Sequence, residues 1–313
     1  MGSIKDAGIA SDAAAAASRA HSAQINALSA DDAVLRAQRS GWKNARIHSV
    51  FDRVVNLEFG NGRLLTIAHR YSDNAPDTIV ADVDDWRARA LRVGHDVHFM
   101  GEKIFLGDGQ CLSLEDARPW SCVLPKYAVD ASRLTANIAL ARAHIDRQGS
   151  GIGVSHSRAS AAGEVDAAFA ARFQERSAVL CAAIASGDER GAQAQVEALV
   201  GFGPGLTPAG DDFLLGLLAA LNVPESPCIS WRRIGSQVIA SAVRRTNAIS
   251  IAALRHAAQG KVRESLVALC GALLRAEEAA MLPALDRVLA IGASSGTDIA
   301  LGMLAGFELH ASA

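Results

Sequence analysis

The sequence predicts an α+β protein, a small antiparallel, barrel-like sheet followed by an all-helical domain. Three observations lead there. From Ala45 to about Leu114, short runs rich in β-branched and aromatic residues are punctuated by Gly60-Asn-Gly62, Gly101-Glu102 and Gly107-Asp-Gly109, the pattern of strands joined by tight turns. From Asp130 to the C-terminus, apolar residues recur at helical spacing. Aromatics are only 5% of a chain that is 50% apolar, so alanine and leucine fill the core, which favours closely packed helices over a sandwich.

Taken in order, residues 1–44 read as a helical or partly disordered extension, with helix starts at Asp12 and at Ser29-Ala-Asp-Asp-Ala-Val-Leu-Arg36. Residues 45–125 form the predicted β-rich domain. Its strands are Ile47 to Phe59 and Leu64 to His69 around Gly60-Asn-Gly62, then Thr78 to Asp82, His95 to Met100, Lys103 to Leu106 and Cys111 to Leu114. After Ala117-Arg-Pro-Trp120 and Leu124-Pro125 the strands stop. Residues 126–313 form the predicted all-α domain, with a first helix over 130–145 that ends in the flexible loop Gln148-Gly-Ser-Gly-Ile-Gly153. Further helices are expected over roughly 164–186, 189–200, 212–222, 230–245, 248–259, 262–276, 278–290 and 298–309.

Composition narrows the function. A net charge of -2 with 20% charged residues leaves no basic stripe, so no nucleic-acid partner is expected. The N-terminus lacks the layout of a signal peptide and no uncharged apolar run reaches membrane-spanning length, so the expectation is a soluble, cytoplasmic protein. Cys111, Cys122, Cys181, Cys228 and Cys270 are odd in number and scattered, as suits reduced thiols.

The most informative stretch is Gly201-Phe-Gly-Pro-Gly-Leu-Thr-Pro-Ala-Gly-Asp-Asp212, which runs into the apolar Phe213-Leu-Leu-Gly-Leu-Leu-Ala-Ala-Leu221. Pro208 forces Thr207 out of the α region, so a helix begins only after it, with Asp211 or Asp212 expected as its cap. The result would be a helix N-terminus with free N–H groups beside a hydroxyl and two carboxylates. A second stretch resembles the first: Ile291-Gly-Ala-Ser-Ser-Gly-Thr-Asp298 enters Ile299-Ala-Leu-Gly-Met-Leu-Ala-Gly306. Gly210 then corresponds to Gly296, Asp212 to Asp298 and Gly216 to Gly302, a pseudo-repeat of helix, loop and helix. Asp212, Gly216 and Ala220 share one helical face, as do Asp298, Gly302 and Gly306. Two helices crossing on those faces would bring both loops to one end of the bundle.

Neither loop is a Walker A or dinucleotide motif, since Gly-Lys-Ser/Thr is absent and no strand precedes. A phosphate at Gly203 to Gly210 would face Asp211 and Asp212. At about 4 Å and an effective dielectric near 20 each charge repels it by roughly 4 kcal/mol, whereas a helix N-terminus returns about 0.3 to 2 kcal/mol. Anion binding therefore calls for a cation such as Mg2+ on Asp211 and Asp212, or for guanidinium groups, of which Arg244 and Arg245 beside Thr246 are the nearest in sequence. The candidate ligand-binding set is Gly203, Gly205, Leu206, Thr207, Gly210, Asp211, Asp212, Arg244, Arg245, Thr246, Ser294, Ser295, Gly296 and Asp298. The plain alternatives are that the aspartates cap helices, that the loop hydroxyls satisfy local backbone, and that the arginines complement a helix end. No nucleophile–base pair emerges: His156 and His256 read as surface residues, and His95 and His98 point to opposite faces of a strand.

Gly203-Pro-Gly-Leu-Thr-Pro-Ala-Gly-Asp-Asp212 followed by Ile291-Gly-Ala-Ser-Ser-Gly-Thr-Asp298 resembles a bacterial family that includes AllH, a subunit of the oxamate carbamoyltransferase of allantoin catabolism. Thr246 to Gly260, His48-Ser-Val-Phe51 and Ala117-Arg-Pro-Trp120 fit the same family, so the resemblance spans about 45–309. It implies carbamoyl transfer between oxamate and phosphate by a complex with other subunits, AllF/FdrA-like and AllG-like, and a small anionic ligand at the glycine loops. The alternatives left open are a non-catalytic assembly or regulatory subunit that binds a small effector, and a separate enzyme acting on another amide or carboxylate.

Overall fold

The computed structural model describes residues 24–42, 44–107, 109–150, 164–275 and 278–313. The first part of the N-terminal extension, the loop residues 151–153 and His156 lie outside the described residues. The chain divides into two compact units, Met1–Ser121 and Cys122–Ala313.

The first unit is a barrel-like sheet. Its strands are β1 (Gln24–Asp31), β2 (Ala45–Val50), β3 (Val54–Phe59), β4 (Leu64–Ala68), β5 (Thr78–Ala81), β6 (Asp96–Met100), β7 (Lys103–Phe105), β8 (Cys111–Ser113) and β9 (Arg118–Trp120), with α1 (Asp32–Arg39) after the first. They are ordered β5-β4-β3-β2-β6-β7-β8-β1-β9, and a β5–β1 pairing closes the ring. Most neighbours are antiparallel, while β4–β5, β1–β8 and β1–β9 are parallel. Inward-facing Ile47, Val55, Leu57, Leu65, Ile67, Ile79, Ile104 and Leu112, together with Trp86, fill the interior.

Two strands in this unit depart from the sequence reading. The run Ile47 to Phe59 is two strands, because the chain turns at Phe51-Asp-Arg53 with the Phe51 N–H on the Val54 carbonyl at 2.8 Å. That turn carries no glycine or proline to announce it. Residues Gln24–Asp31, expected within a helical or disordered extension, form the strand that closes the barrel. Its partners are remote in sequence and its inward residues include small alanines, so its local signal is weak. The helix start read at Ser29 to Arg36 follows directly: Asp31 caps α1 by accepting from the Ala33 N–H at 3.0 Å.

The second unit is helical: α2 (Ala131–Gln148), α3 (Glu164–Ser186), α4 (Glu189–Leu199), α5 (Ala209–Leu221), α6 (Ile234–Arg245), α7 (Ala248–Ala257), α8 (Glu264–Arg275), α9 (Glu278–Leu289) and α10 (Ser295–Ser312). Asp130, Asp188 and Asn247 cap α2, α4 and α7 through their side chains. The centre of the unit is α5 packed on α10, whose residues from Leu214 to Leu221 and from Ile299 to Phe307 are almost all buried. Phe202 ties the first glycine loop to this core through the buried Phe173, at a ring separation of 6.5 Å. None of the five cysteines is in a disulfide, and Cys111, Cys228 and Cys270 are buried.

Candidate functional site

Small residues decide how α5 and α10 meet. A Cβ on Gly216 would lie 1.9 Å from the Ile299 carbonyl oxygen, and a Cβ on Gly302 would lie 1.9 Å from that of Phe213. Further along, a Cβ on Gly306 would lie 2.5 Å from Cβ of Ala220. The helices therefore run in the same direction at backbone contact, on the faces the i, i+4 spacing predicts. Both N-termini lie at one end, where Thr207 Oγ1 and Ser295 Oγ are 2.7 Å apart.

The two loops share their closing backbone bonds. The Gly210 N–H donates to Phe202 O at 2.8 Å, and the Gly296 N–H donates to Ile291 O at 2.9 Å. A Cβ on either glycine would sit 2.0 Å from a carbonyl of the preceding helix, Leu199 O or Val288 O, so each loop closes tightly on the helix before it. This corrects the expectation of free N–H groups at the first helix start, because the Gly210 N–H, like that of Gly296, is already engaged within the chain. In the first loop, Gly203 and Gly205 take φ of 118° and 94°, conformations that glycine tolerates and side chains resist. Leu206 is 56% exposed and its carbonyl accepts from Asn247 Nδ2 at 2.7 Å.

The aspartates are not caps. Helix α5 begins at Ala209 behind Pro208, with no side-chain cap, and the Pro208 carbonyl accepts from the Asp211 and Asp212 N–H groups. Helix α10 likewise begins at Ser295, with the Ser294 carbonyl accepting from Thr297 and Asp298. Both helices thus start four residues earlier than capping by Asp212 and Asp298 would require, and the two aspartates lie buried one turn in, at 5% and 1% exposure.

Each acidic side chain has its own environment. Asp211 accepts from the Gly201 N–H at 2.8 Å and from the Thr246 hydroxyl, which locks the loop base to the α6–α7 junction. Asp212 reaches the Ser295 and Thr207 hydroxyls instead. Burial pushes its carboxyl up to about 8, the Asp298 and Asp211 charges push the same way, and the two hydroxyl bonds only partly offset them. Asp212 Oδ2 is buried without a hydrogen-bond partner among the described residues.

These environments argue against the Mg2+ assignment to Asp211 and Asp212. Asp211 is committed to internal donors at both carboxylate oxygens, which leaves Asp212 alone of the two to face a cation. Among the described residues no group of three or more His, Cys, Asp or Glu is placed to hold a metal ion.

Of the remaining candidates, Thr207, Ser295, Gly210, Gly296, Asp212 and Asp298 come together at the paired helix starts, and Thr246 joins the base through Asp211. Arg245 is committed to the carbonyl of Glu197 at 2.8 Å, whereas Arg244 is exposed on the last turn of α6. Sequence reasoning missed two anchors. Asn247 bridges α7 to Leu206; its capping role has a local signal, its reach to the loop none. Thr297 accepts from the Ser150 N–H at 3.0 Å, and the Ser150 hydroxyl donates to Ala293 O at 2.6 Å, so the end of α2 docks on the second loop.

Among the described residues no helix is long and apolar enough to cross a membrane. No solved structure matches the chain. One family model, described as the AllH family N-terminal domain, matches residues 26–119 within the barrel-like unit. A second, described as oxamate carbamoyltransferase subunit AllH, matches residues 199–307 and takes in both glycine loops. With matches to both units that together cover most of its length, the chain belongs to the AllH family.

Proposed function

We propose that this chain is one subunit of a multi-subunit complex that moves a carbamoyl group between oxamate and phosphate in allantoin nitrogen catabolism, and that its paired loops take the anionic ligand. AllF/FdrA-like and AllG-like chains would be its partners, in keeping with the word subunit in the description of the matching family. The observation that carries the reading is the Thr207–Ser295 contact, which joins two glycine loops at the paired starts of α5 and α10. Gly203, Gly205, Leu206, Thr207, Ser294 and Ser295 would contribute backbone and hydroxyl donors, with Arg244 as the cation nearest in sequence that is not committed to Glu197.

Electrostatics support this reading. The repulsion of about 4 kcal/mol per charge that seemed to demand a cation weakens once Asp212 keeps its proton below about 8 and the Asp211 charge is met by the Gly201 N–H and the Thr246 hydroxyl. Calorimetric titration of the full chain with phosphate and carbamoyl phosphate, with and without Mg2+ and partner subunits, tests it. Binding that needs no Mg2+ and weakens several-fold in Thr207→Val or Ser295→Ala is expected; no binding in any combination overturns it.

One observation favours a second reading, a non-catalytic assembly or regulatory subunit. The Gly210 and Gly296 N–H groups are satisfied by Phe202 O and Ile291 O, as a purely structural pair of loops would require. Under that reading carbamoyl transfer by the complex needs this chain yet is unchanged by Thr207→Val and Ser295→Ala.

A further inference from the structure

The Asp212 carboxyl is only half accounted for. Its residue is 5% exposed, and its identified hydrogen bonds run to the Ser295 and Thr207 hydroxyls, which are bonded to each other at 2.7 Å. Thr207 is exposed and Ser295 half-buried, so the hydroxyls lie between the carboxyl and the surface. Oδ2 is enclosed with no partner among the described residues. A buried polar atom left unpaired costs about 1–3 kcal/mol, and native folds retain few of them without a use.

The chemistry of a carboxyl selects what can fill that gap. An ionised phosphate or carboxylate offers acceptors alone and cannot satisfy an ionised Asp212. An ammonium offers donors alone and leaves the O–H of a protonated one unpaired. A primary amide carries an N–H donor and a C=O acceptor side by side in one plane, so it pairs with a carboxyl in either protonation state. We propose that Asp212, reached between the hydroxyls of Thr207 and Ser295, recognises the primary amide end of the ligand. The inference rests on the reading of these loops as an anion site, and together they describe a small molecule with a –CO–NH2 group at one end and an anionic group at the other. Entry requires the Thr207–Ser295 bond to open, so that the hydroxyls exchange each other for the ligand.

Oxamate and pyruvate test this, because they match in size and charge and differ in having an amide NH2 or a methyl group. In calorimetric titrations of the full chain, alone and with its partner subunits, oxamate is expected to bind about tenfold or more tightly than pyruvate, the worth of one good hydrogen bond to a buried carboxyl. The preference should persist in Asp212→Asn, whose side-chain amide still pairs with an amide, and fall to about unity in Asp212→Leu. If Asp212→Leu does not fold, the wild-type ratio and the Asn variant still decide. A wild-type ratio near unity, as expected if Oδ2 instead shares a proton with Asp298, overturns the inference. So does binding of phosphate with no binding of oxamate, a result that leaves the anion site standing. Failure of phosphate and carbamoyl phosphate to bind at all removes the anion site as well.

Discussion

Gly216 and Gly302 occupy equivalent places in the α5–α10 crossing, each with its α-carbon hydrogens where a Cβ would strike a carbonyl oxygen of the other helix at 1.9 Å. The colliding atoms belong to backbone, so no rotamer change relieves them. Alanine is favoured over glycine in a helix interior by about 1 kcal/mol, yet Gly302→Ala is expected to lower stability by about 1–3 kcal/mol through overpacking. Gly216→Ala should cost a similar amount, and urea unfolding of both variants measures it. A neutral or stabilising result at either position would mean that the helices separate without penalty and that the loops need not meet.

Asp211 holds a loop to a helix junction. Asp211→Ala removes acceptors from the Gly201 N–H and the Thr246 hydroxyl and is expected to cost about 2–4 kcal/mol. Asp211→Asn keeps one acceptor and should cost less. Because the site lies beyond the loop base, ligand affinity at a temperature where the variants remain folded should fall along with stability.

Asp212 makes stability fall as pH rises. Its folded-state value of about 8 lies above the ordinary 3.8, so between these values the native state holds a proton that the unfolded chain has released. Stability is greatest on this account below about 3.8, declines through the window and reaches its low plateau above about 8. Asp212→Asn should abolish that part of the slope and be more stable than wild type above the window. Chemical unfolding across the pH range checks it, and a variant less stable at every pH would show that the fold uses the ionised carboxylate.

His310 acts in the opposite direction. It is buried at the far end of the α5–α10 crossing, its Nε2 2.9 Å from Ala220 O, and burial lowers its value below the ordinary 6.5 despite that bond. The unfolded chain takes up a proton first as pH drops through 6.5, so the His310 contribution destabilises on acidification. His310→Phe should remove this acid sensitivity while costing about 1–2 kcal/mol near neutral pH, since Ala220 O loses its donor. Paired unfolding curves at about pH 5 and about pH 7 would measure both effects.

Much of this architecture was legible in the order of residues. Gly60-Asn-Gly62 turns β3 into β4, and the run from Glu164 is a helix to Ser186 as its periodicity predicts. The small face Asp212, Gly216, Ala220 and its counterpart Asp298, Gly302, Gly306 foretold the crossing, because side-chain size and helical period are local properties. The closing strand β1 was not legible. Its partners Ala81, Leu112 and Pro119 are remote, and a strand completed by distant chains carries little of its own signal.

The sequence by itself determined two glycine loops, two helices with matching small faces and a carboxylate in the first turns of each. Only the tertiary structure decided what those carboxylates are. A Gly-x-Asp at a helix start reads equally as a cap, a metal ligand or a buried acid. The choice depends on whether neighbours supply water, donors or a second charge. Here the Gly201 N–H and the Thr246 hydroxyl hold the Asp211 oxygens, while α10 covers Asp212 with the Ser295 hydroxyl and the Asp298 charge. Adjacent residues of one type, both buried, thereby receive different partners, because the fold decides which donors and charges face each side chain.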